Sequence, residues 1–445
     1  MGKTTIATGI MGALYKRGYK VQPFKTGPDY IDPTYHTRVT GTPSRNLDTW
    51  MLPRDTILEL FQRAMRGKDI AIIEGVMGLY DGRSAIGEEG STAELAKLIK
   101  ASVLLIVDTR KGARSLAAMV KGYRDFDPSL RLVGVILNGI GSKEHLKVCS
   151  DAILHYTGLR VLGYFPQREE LTLPERHLGL VPMVEDLVSQ EVLERIILQC
   201  EDTLDLDGIL AIAGQGSLIR VPSTIFPSST KEKEIKIAVA RDKAFSFYYE
   251  DNLELLQAWG AEIWPFSPLQ DISFPPDISG IYIGGGFPEI YAAELSANTN
   301  IKKIIKQASR KGMPLYAECG GLMYLGKSIR DFDENEYGMV GIFPVNSQIG
   351  NPRLTLGYRT VKALHNGPLM LRGKISRGHE FHWSTHKGGS DSANAYRILD
   401  KGNRVEGFQK NNTLASYVHL HFGSLPSLAI RFIEQCRLYY EGISR

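Results

Sequence analysis

Met1-Gly2-Lys3-Thr4-Thr5 is the stretch that decides the fold of the first half of this chain. Gly-Lys-Thr is the second half of the phosphate-binding pattern G-x-x-x-x-G-K-[ST], in which the lysine meets the β- and γ-phosphates and the hydroxyl meets Mg²⁺. Gly2 lets backbone N–H groups approach phosphate oxygens, and Thr5 lies where a helix N-terminus completes an anion site. Residues 6–18 place apolar side chains at helical spacing and end in a glycine. The opening therefore predicts a P-loop followed by a helix.

The first half of the P-loop pattern does not precede these residues in the printed sequence, and neither does the strand that normally leads into it. We therefore expect Met1 to correspond to an internal loop residue. On this interpretation the first strand and half of the P-loop are missing from this chain, and a strand and a Gly/Ser-rich turn lie upstream in the full protein. We also expect the chain as printed to bind ATP weakly.

Length and composition exclude several classes of protein. The 445 residues allow two or three domains, and 43% hydrophobic with 23% charged residues is typical of a soluble globular protein. A net charge of +4 suits an acidic substrate but does not by itself indicate nucleic acid binding. No apolar run reaches the roughly 20 residues of a membrane span. The four cysteines have no metal-ligand spacing, so we expect free thiols in a cytoplasmic protein, with no membrane or nucleic acid partner.

Polar residues follow several predicted strands at the point where each strand ends. The apolar run 70–73 ends in Glu74, and the run 132–137 ends in Asn138. Such runs are typical of parallel strands buried on both faces, and ligands bind at the carboxyl ends of parallel strands. Glu74 is thus placed to hold Mg²⁺, whereas Asn138 would fit either a nucleotide base or the cap of a turn. The alternation of strands and helices predicts a doubly wound parallel α/β sheet.

The loop Lys25-Thr-Gly-Pro-Asp29-Tyr30-Ile-Asp32 follows another predicted strand, 19–24. Its glycine and proline break regular structure. The loop therefore either presents its charged side chains to a ligand or forms a solvated turn.

A second domain follows a change in composition. Residues 213–234 are rich in Gly, Ser, Pro and Thr, which predicts a linker between domains 1–212 and 235–445. The strand predicted at 279–283 opens into Gly284-Gly285-Gly286. Three glycines in succession can turn backbone N–H groups toward an oxyanion, and they can equally form a simple tight turn.

Cys319 is the candidate nucleophile of the second domain. It lies in Glu318-Cys319-Gly320-Gly321, between a predicted strand and a predicted helix, as in a nucleophile elbow. We expect the helix dipole and an imidazole to lower the pKa of the thiol. An apolar strand, 415–423, is predicted to end in two of the candidate bases. The candidate bases are His379, His382, His386, His419 and His421.

The motifs taken together resemble the cobyrinic acid a,c-diamide synthase family, whose archaeal relatives amidate nickel-sirohydrochlorin on the way to the nickel coenzyme of methanogenesis. The motifs that carry the resemblance are Lys25-Thr-Gly-Pro-Asp-Tyr-Ile-Asp-Pro33, Pro43-Ser-Arg-Asn-Leu-Asp48, Glu74-Gly-Val-Met-Gly-Leu-Tyr-Asp-Gly82, Glu318-Cys-Gly-Gly321 and Tyr417-Val-His-Leu-His-Phe422. The resemblance implies an N-terminal P-loop domain of the dethiobiotin-synthetase kind and a C-terminal class I glutamine amidotransferase domain of the cobyrinate type, both α/β.

In the second domain the resemblance implies Cys319 as the glutaminase nucleophile and His419 as its base, chosen over His421 because it matches the Tyr-x-His arrangement. Gly285 and Gly286 would help to form the oxyanion hole. Other class I enzymes follow the histidine with Pro-Glu, and that glutamate orients it. Here Leu420 and His421 follow, so the third member of the triad is unassigned.

In the first domain the resemblance implies ATP as co-substrate and Mg²⁺ as cofactor. The residues implied in ATP and Mg²⁺ binding are Gly2, Lys3, Thr4, Thr5, Glu74 and Asn138, with Thr4, Asp29 and Glu74 on the metal. The residues implied in substrate binding are Lys25, Asp29, Tyr30 and Asp32.

The implied function is ATP- and glutamine-dependent amidation of the a and c side-chain carboxylates of a tetrapyrrole, cobyrinate or nickel-sirohydrochlorin, through an acyl phosphate and glutamine-derived ammonia. Whether the enzyme forms a homodimer is left open. One alternative is a partitioning or regulatory P-loop ATPase of the Mrp/MinD type. Another is an amidating enzyme of the cobyric acid synthase type.

Overall fold

The computed structural model describes residues 2–171, 173, 175–176, 179–180, 189–214, 221–229, 231–349, 354–388, 393–400 and 402–442. The expectation for Met1 and part of the predicted linker, 215–220 and 230, lie outside the described residues. The chain divides into two compact units, Met1–Trp50 with Ile57–Pro222, and Met51–Thr56 with Ser223–Arg445.

The first unit alternates strands with helices, as the sequence predicts. Its helices are α1 (Lys3–Lys16), α2 (Asp32–Thr40), α3 (Arg54–Ala64, whose first turn belongs to the second unit), α4 (Thr92–Leu98), α5 (Ser115–Phe126), α6 (Lys143–Thr157), α7 (Gln190–Thr203) and α8 (Leu206–Ala213). Its strands are β1 (Val21–Thr26), β2 (Arg45–Leu47), β3 (Ile70–Glu74), β4 (Val103–Asp108), β5 (Leu132–Ile140), β6 (Arg160–Pro166), β7 (Glu175–Arg176) and β8 (Gly179–Leu180).

The parallel strands of the first unit form two sheets, of orders β2-β1-β3 and β4-β5-β6, where the sequence predicted one. Among the described strands, β3 and β4 do not pair. In register, Lys25 on β1 lies opposite Glu74 on β3, and Asp108 on β4 lies opposite Asn138 on β5. The polar residues predicted at strand ends therefore do share the carboxyl edges of their sheets.

Helix α1 begins where the P-loop pattern predicts it. Gly2 caps the helix in the left-handed conformation, with φ 74°, which glycine adopts without strain. The helix packs closely against α7, because a Cβ on Gly9 would lie 2.4 Å from the sulfur of Cys200. The N-terminus of α4 is capped by Ser91, whose hydroxyl accepts the Glu94 N–H at 3.1 Å.

The second unit is built on a ten-stranded mixed sheet of order β10-β9-β11-β12-β21-β20-β19-β16-β17-β22. Neighbouring strands from β10 to β21 are parallel, and those from β21 to β22 are antiparallel. The five parallel strands are β9 (Ile235–Ala240), β10 (Ala261–Phe266), β11 (Ile278–Ile283), β12 (Leu315–Glu318) and β21 (Thr413–Ser416), and the edge strand at the antiparallel end is β22 (His419–Leu420). The others are β16 (Thr355–Ala363), β17 (Ile375–His382), β19 (Ala393–Ile398) and β20 (Val405–Lys410).

A smaller sheet of order β14-β13-β15-β18 accompanies the large one. Its strands are β13 (Ser328–Arg330), β14 (Glu336–Gly338), β15 (Val345–Gln348) and β18 (Thr385–Gly388). The helices of this unit are α9 (Glu250–Ala258), α10 (Ala292–Ala297), α11 (Thr299–Arg310), α12 (Gly320–Leu325) and α13 (Ser427–Tyr440). Over the described ranges, the longest apolar helices fall short of what a membrane span needs.

Candidate active sites

Cys319 occupies the predicted turn between a strand and a helix. Strand β12 ends at Glu318, α12 begins at Gly320, and Cys319 between them has φ 49° and ψ −102°. A non-glycine residue in such a conformation costs on the order of 1–3 kcal/mol and persists only where its surroundings hold it. One such contact is the Cys319 N–H, which donates to the carbonyl of Ser416 at 2.7 Å. The backbone of the nucleophile candidate is therefore strained and fixed.

The thiol of Cys319 is less acidic than the sequence suggested. Burial raises its pKa well above the usual value and the charge of Glu289 adds to this, while the N–H of Gly320 opposes it. Because the residue is only 8% exposed, desolvation outweighs the expected effect of the helix dipole on the pKa of the thiol. The expectation of a lowered pKa was wrong for the resting site. The thiol is protonated at rest and needs a base to react.

His419 and Cys319 follow neighbouring strands of the sheet, although the predicted strand 415–423 is interrupted. Strand β21 stops at Ser416 next to β12, and after two residues β22 crosses to pair with β17. Cys319 and His419 therefore both follow the carboxyl ends of two neighbouring parallel strands. A Cβ on Gly285 would lie 2.6 Å from Cε1 and 3.4 Å from Nε2 of His419, so this side of the ring faces the glycine loop.

The other candidate histidines have different contacts. His421 accepts the Gly423 N–H at Nδ1, 3.1 Å away, and its Nε2 lies 3.6 Å from Asp251. His379 bonds to the Tyr249 hydroxyl at 2.9 Å, and burial, with the charges of His419 and Arg359, lowers its pKa well below the usual value. The ring of His379 is stacked on that of His419, with centroids 4.9 Å apart.

His382 and His386 also contact residues other than Cys319. Nδ1 of His382 lies 2.8 Å from the Ser384 carbonyl, and burial lowers the pKa of this ring to about 4. The ring of His386 packs on Phe408 and Tyr417, and burial lowers its pKa as well.

The two predicted oxyanion glycines differ in their surroundings. The N–H of Gly285 donates to the Phe247 carbonyl at 3.1 Å, so this glycine supports the His419 ring instead of offering a donor. Gly286 has φ 153°, and its nitrogen lies 3.2 Å from where a Cβ on Gly320 would be. The N–H of Gly320 contacts the Cys319 thiol, and the sequence did not single out this glycine as a donor. The adjacent Gly-Gly of the elbow motif was the available signal.

In the first unit, the predicted strand-end residues form one buried cluster. Thr4 Oγ1 donates to Glu74 Oε1 at 2.7 Å, and Lys25 Nζ lies 2.9 Å from the same oxygen. Lys25 also bonds to Asp32, and Asp29 is 3.7 Å away. Because Lys25 is only 3% exposed, the alternative of a solvated turn is wrong for this residue.

His36 on α2 belongs to the same cluster, and sequence reasoning missed it. Its Nε2 donates to Glu74 Oε2 at 2.7 Å, and its Nδ1 lies 3.4 Å from Ser44. Burial alone would raise the pKa of Glu74, but the His36 hydrogen bond and the charge of Lys25 lower it overall. Burial and the charges of Asp29 and Glu74 raise the pKa of Asp32. The available signal was the i,i+4 spacing of Asp32 and His36 on one helix.

The remaining predicted residues surround this cluster. Lys3 Nζ donates to the Met77 carbonyl at 2.8 Å, and burial, with the charge of Lys25, lowers its pKa. A Cβ on Gly2 would lie 2.5 Å from the amide nitrogen of Asn138, so that side chain abuts the P-loop glycine. Asp29 Oδ1 accepts the N–H groups of residues 31 and 32, at 2.8 and 3.2 Å. Thr5 lies in the first turn of α1, and Tyr30 is half-buried beside Asp29.

The cluster has the chemistry of a Mg²⁺ site. Thr4 Oγ1 lies 2.7 Å from Glu74 and 3.3 Å from Asp32, and hydroxyl and carboxylate oxygens are the ligands that Mg²⁺ prefers. Asp32, not Asp29, makes this contact with Thr4. Within the described part of the chain, no three His, Cys, Asp or Glu side chains are grouped as ligands of a metal.

Comparison with known proteins defines the class of this chain. Residues 236–426 match the family described as CobB/CobQ-like glutamine amidotransferase domain, and residues 1–181 match the CobQ/CobB/MinD/ParA nucleotide binding domain. The chain thus joins a P-loop nucleotide-binding domain to a glutamine amidotransferase domain, which confirms the predicted fold class. An ATPase of the Mrp/MinD type accounts for the match over residues 1–181 and not for the amidotransferase match over residues 236–426.

Three curated relatives identify the family. The chain is 45% identical to cobyrinate a,c-diamide synthase of Dehalococcoides mccartyi, covering 99% of this chain and 96% of the relative. It is 44% identical to the Priestia megaterium enzyme of that name (98% and 94%) and 43% identical to that of Methanothermobacter thermautotrophicus (97% and 96%). The chain belongs to the cobyrinate a,c-diamide synthase family, and the resemblance drawn from its motifs is confirmed.

Proposed function

We propose that this protein amidates the a and c side-chain carboxylates of cobyrinate, using ATP and the amide nitrogen of glutamine. The observation that carries the proposal is the strained turn of Cys319 next to the strand end that bears His419, in a chain that also carries a P-loop. The name shared by its relatives supports cobyrinate as the substrate. The cytoplasmic location and a homodimeric state stay predictions.

The glutaminase half of the reaction follows from the site of the second unit. His419 Nε2 takes the proton of the Cys319 thiol as the sulfur attacks the glutamine amide carbon. The tetrahedral oxyanion is stabilised by backbone donors, for which Gly286 and Gly320 are best placed. The imidazolium then returns the proton to the leaving nitrogen, ammonia departs, and water hydrolyses the glutamyl thioester. This sequence explains why a thiol that is protonated at rest can still act as the nucleophile.

The synthetase half activates the carboxylate, because oxide is too poor a leaving group for ammonia to displace. A carboxylate oxygen attacks the γ-phosphorus of ATP, ADP leaves, and ammonia then displaces phosphate from the acyl phosphate. Lys3 supplies positive charge to the phosphates, whereas the ammonium of Lys25 is paired with Asp32 and Glu74. Mg²⁺, when bound, would neutralise further phosphate charge, and Thr4, Asp32 and Glu74 would hold it. The loop of Asp29 and Tyr30 would then meet the substrate carboxylate, and Asn138 the nucleotide.

The experiment incubates purified protein with ATP, glutamine and either cobyrinate or nickel-sirohydrochlorin, and counts the amides formed by mass spectrometry. We expect two amides on cobyrinate and one equivalent of ADP for each amide. Two amides on nickel-sirohydrochlorin alone would assign the chain to the branch that leads to the nickel coenzyme. Cys319→Ser should lose the reaction with glutamine and keep the reaction with ammonium ion. Absence of glutamine hydrolysis in the unmodified protein would refute the proposal.

A further inference from the structure

The catalytic histidine lacks its usual partner in the sequence. In other class I amidotransferases a glutamate two residues after the histidine orients the ring, but here that position is His421. The structure commits His421 to other contacts, the Gly423 N–H and the Asp251 carboxylate. A carboxylate for His419 must therefore come from elsewhere in the chain.

Glu318 is the carboxylate that faces His419. Its Oε2 lies 3.7 Å from His419 Nδ1, and both side chains are 1% exposed. Within the described residues, Nδ1 of His419 has no hydrogen-bond partner, although it is buried. A buried N–H without an acceptor is costly, and hydrogen bonds of catalytic groups are often long before substrate binds. A small rotation of either side chain would bring the two atoms into hydrogen-bond distance.

Three donors hold the Glu318 carboxylate in place. Oε1 accepts the Leu420 N–H at 2.9 Å and the hydroxyl of Tyr316, and Oε2 accepts the Tyr282 hydroxyl at 2.9 Å. Burial and the charge of Glu318 raise the pKa of both phenols well above their usual value, so the phenols remain donors. The Leu420 N–H also ties the carboxylate to the residue after His419. Glu318 is thus held as an acceptor beside the ring.

We propose that Glu318 is the positioning carboxylate of His419. Glu318 precedes the nucleophile in the sequence, and it has the role that a glutamate after the histidine has in other class I enzymes. An acceptor at Nδ1 keeps the neutral ring protonated there, which leaves the lone pair of Nε2 on the side that faces Gly285. Nε2 then receives the thiol proton, and the carboxylate stabilises the imidazolium without itself taking a proton. This inference rests on the proposed glutaminase reaction.

Glu318→Gln tests the proposal. An amide can keep the contacts with Tyr316 and Leu420 through its oxygen, but it turns an NH₂ group toward Nδ1 and favours the wrong tautomer. We expect kcat for glutamine hydrolysis to fall by about 10²–10⁴-fold, as for the aspartate of serine protease triads, with KM little changed. The matched control is Asp251→Asn, which alters the carboxylate opposite His421, and it should remain within about threefold of the unmodified enzyme.

The decisive measurement repeats Glu318→Gln in a His419→Ala background. A residue that acts through His419 should cause no further loss once the imidazole is gone, whereas a merely structural residue would lower the residual rate in both backgrounds. A rate within threefold of the unmodified enzyme for Glu318→Gln, or an undiminished loss in the His419→Ala background, would overturn the proposal. If Glu318→Gln does not fold, Glu318→Asp replaces it in the same cycle. An unmodified protein without glutaminase activity would instead refute the function.

Discussion

Glu406 gives the second unit a pH-dependent stability that can be calculated. It lies on β20, 4% exposed, and its carboxylate accepts the Ser416 hydroxyl at 2.6 Å and the Tyr417 N–H at 2.7 Å. Burial and the nearby charge of Glu380 raise its pKa from 4.5 to about 7, although these hydrogen bonds and Arg404 oppose the shift. Glu406 therefore binds a proton in the folded state at pH values where the unfolded chain has released it.

The sign of the effect follows from proton linkage. Between pH 4.5 and about pH 7 the folded state holds the extra proton, so the free energy of unfolding falls as pH rises across this range. The full loss amounts to about 3 kcal/mol, most of it between pH 5 and pH 8. Glu406→Gln removes the titration and keeps an acceptor for Tyr417 and a donor for Ser416. The variant should lack this part of the pH dependence.

Guanidinium unfolding followed by tryptophan fluorescence measures the difference, since Trp259, Trp264 and Trp383 lie in the second unit. We expect the free energy of unfolding of the unmodified protein to drop by about 2–3 kcal/mol more than that of Glu406→Gln between pH 5 and pH 8. Glu294→Gln, which changes an exposed glutamate of α10, is the control and should follow the unmodified protein. Parallel curves for Glu406→Gln and the unmodified protein would refute the reasoning.

Three further substitutions test contacts of the two sites and of the core. Gly285→Ala places a Cβ 2.6 Å from Cε1 of His419, so glutamine-dependent turnover should fall by about 10²-fold while ammonia-dependent turnover survives. His36→Gln removes a bond that lowers the pKa of Glu74, so the acid limb of the pH–rate profile with ammonia should move to higher pH. Gly9→Ala overpacks α1 against a cysteine of α7 and should destabilise the first unit by about 1–3 kcal/mol in thermal unfolding.

The sequence predicted well those features that depend on local periodicity. Apolar runs located β3 and β5, and the polar residues after them, Glu74 and Asn138, lie at carboxyl edges of sheets as expected. The turn at Cys319 was also predictable, because a cysteine followed by two glycines between a strand and a helix matches the nucleophile-elbow pattern, and glycine permits a sharp turn. These signals act within a few residues, and they do not depend on how distant segments pack.

The features that sequence reasoning missed depend on contacts between distant segments. His36 meets Glu74 across 38 residues, and Glu318 meets His419 across 101. The break between β21 and β22 could not be predicted either, because residues 415–422 contain no glycine or proline that would mark an interruption of the strand. The raised pKa of Cys319 has the same origin, since burial among distant chain segments is its largest cause.

In both candidate sites, the loops that follow two adjacent parallel strands bring the site residues together. In the first unit β1 and β3 are in register, so Lys25 faces Glu74. In the second unit β12 and β21 are in register up to Glu318 and Ser416, so the nucleophile and the segment that leads to His419 leave the sheet side by side. Because the pairing of β12 with β21 also fixes Glu318, any substitution that shifts this register should misplace nucleophile, base and positioning carboxylate together. Loss of glutaminase activity with retained ammonia-dependent turnover would be the signature of such a shift.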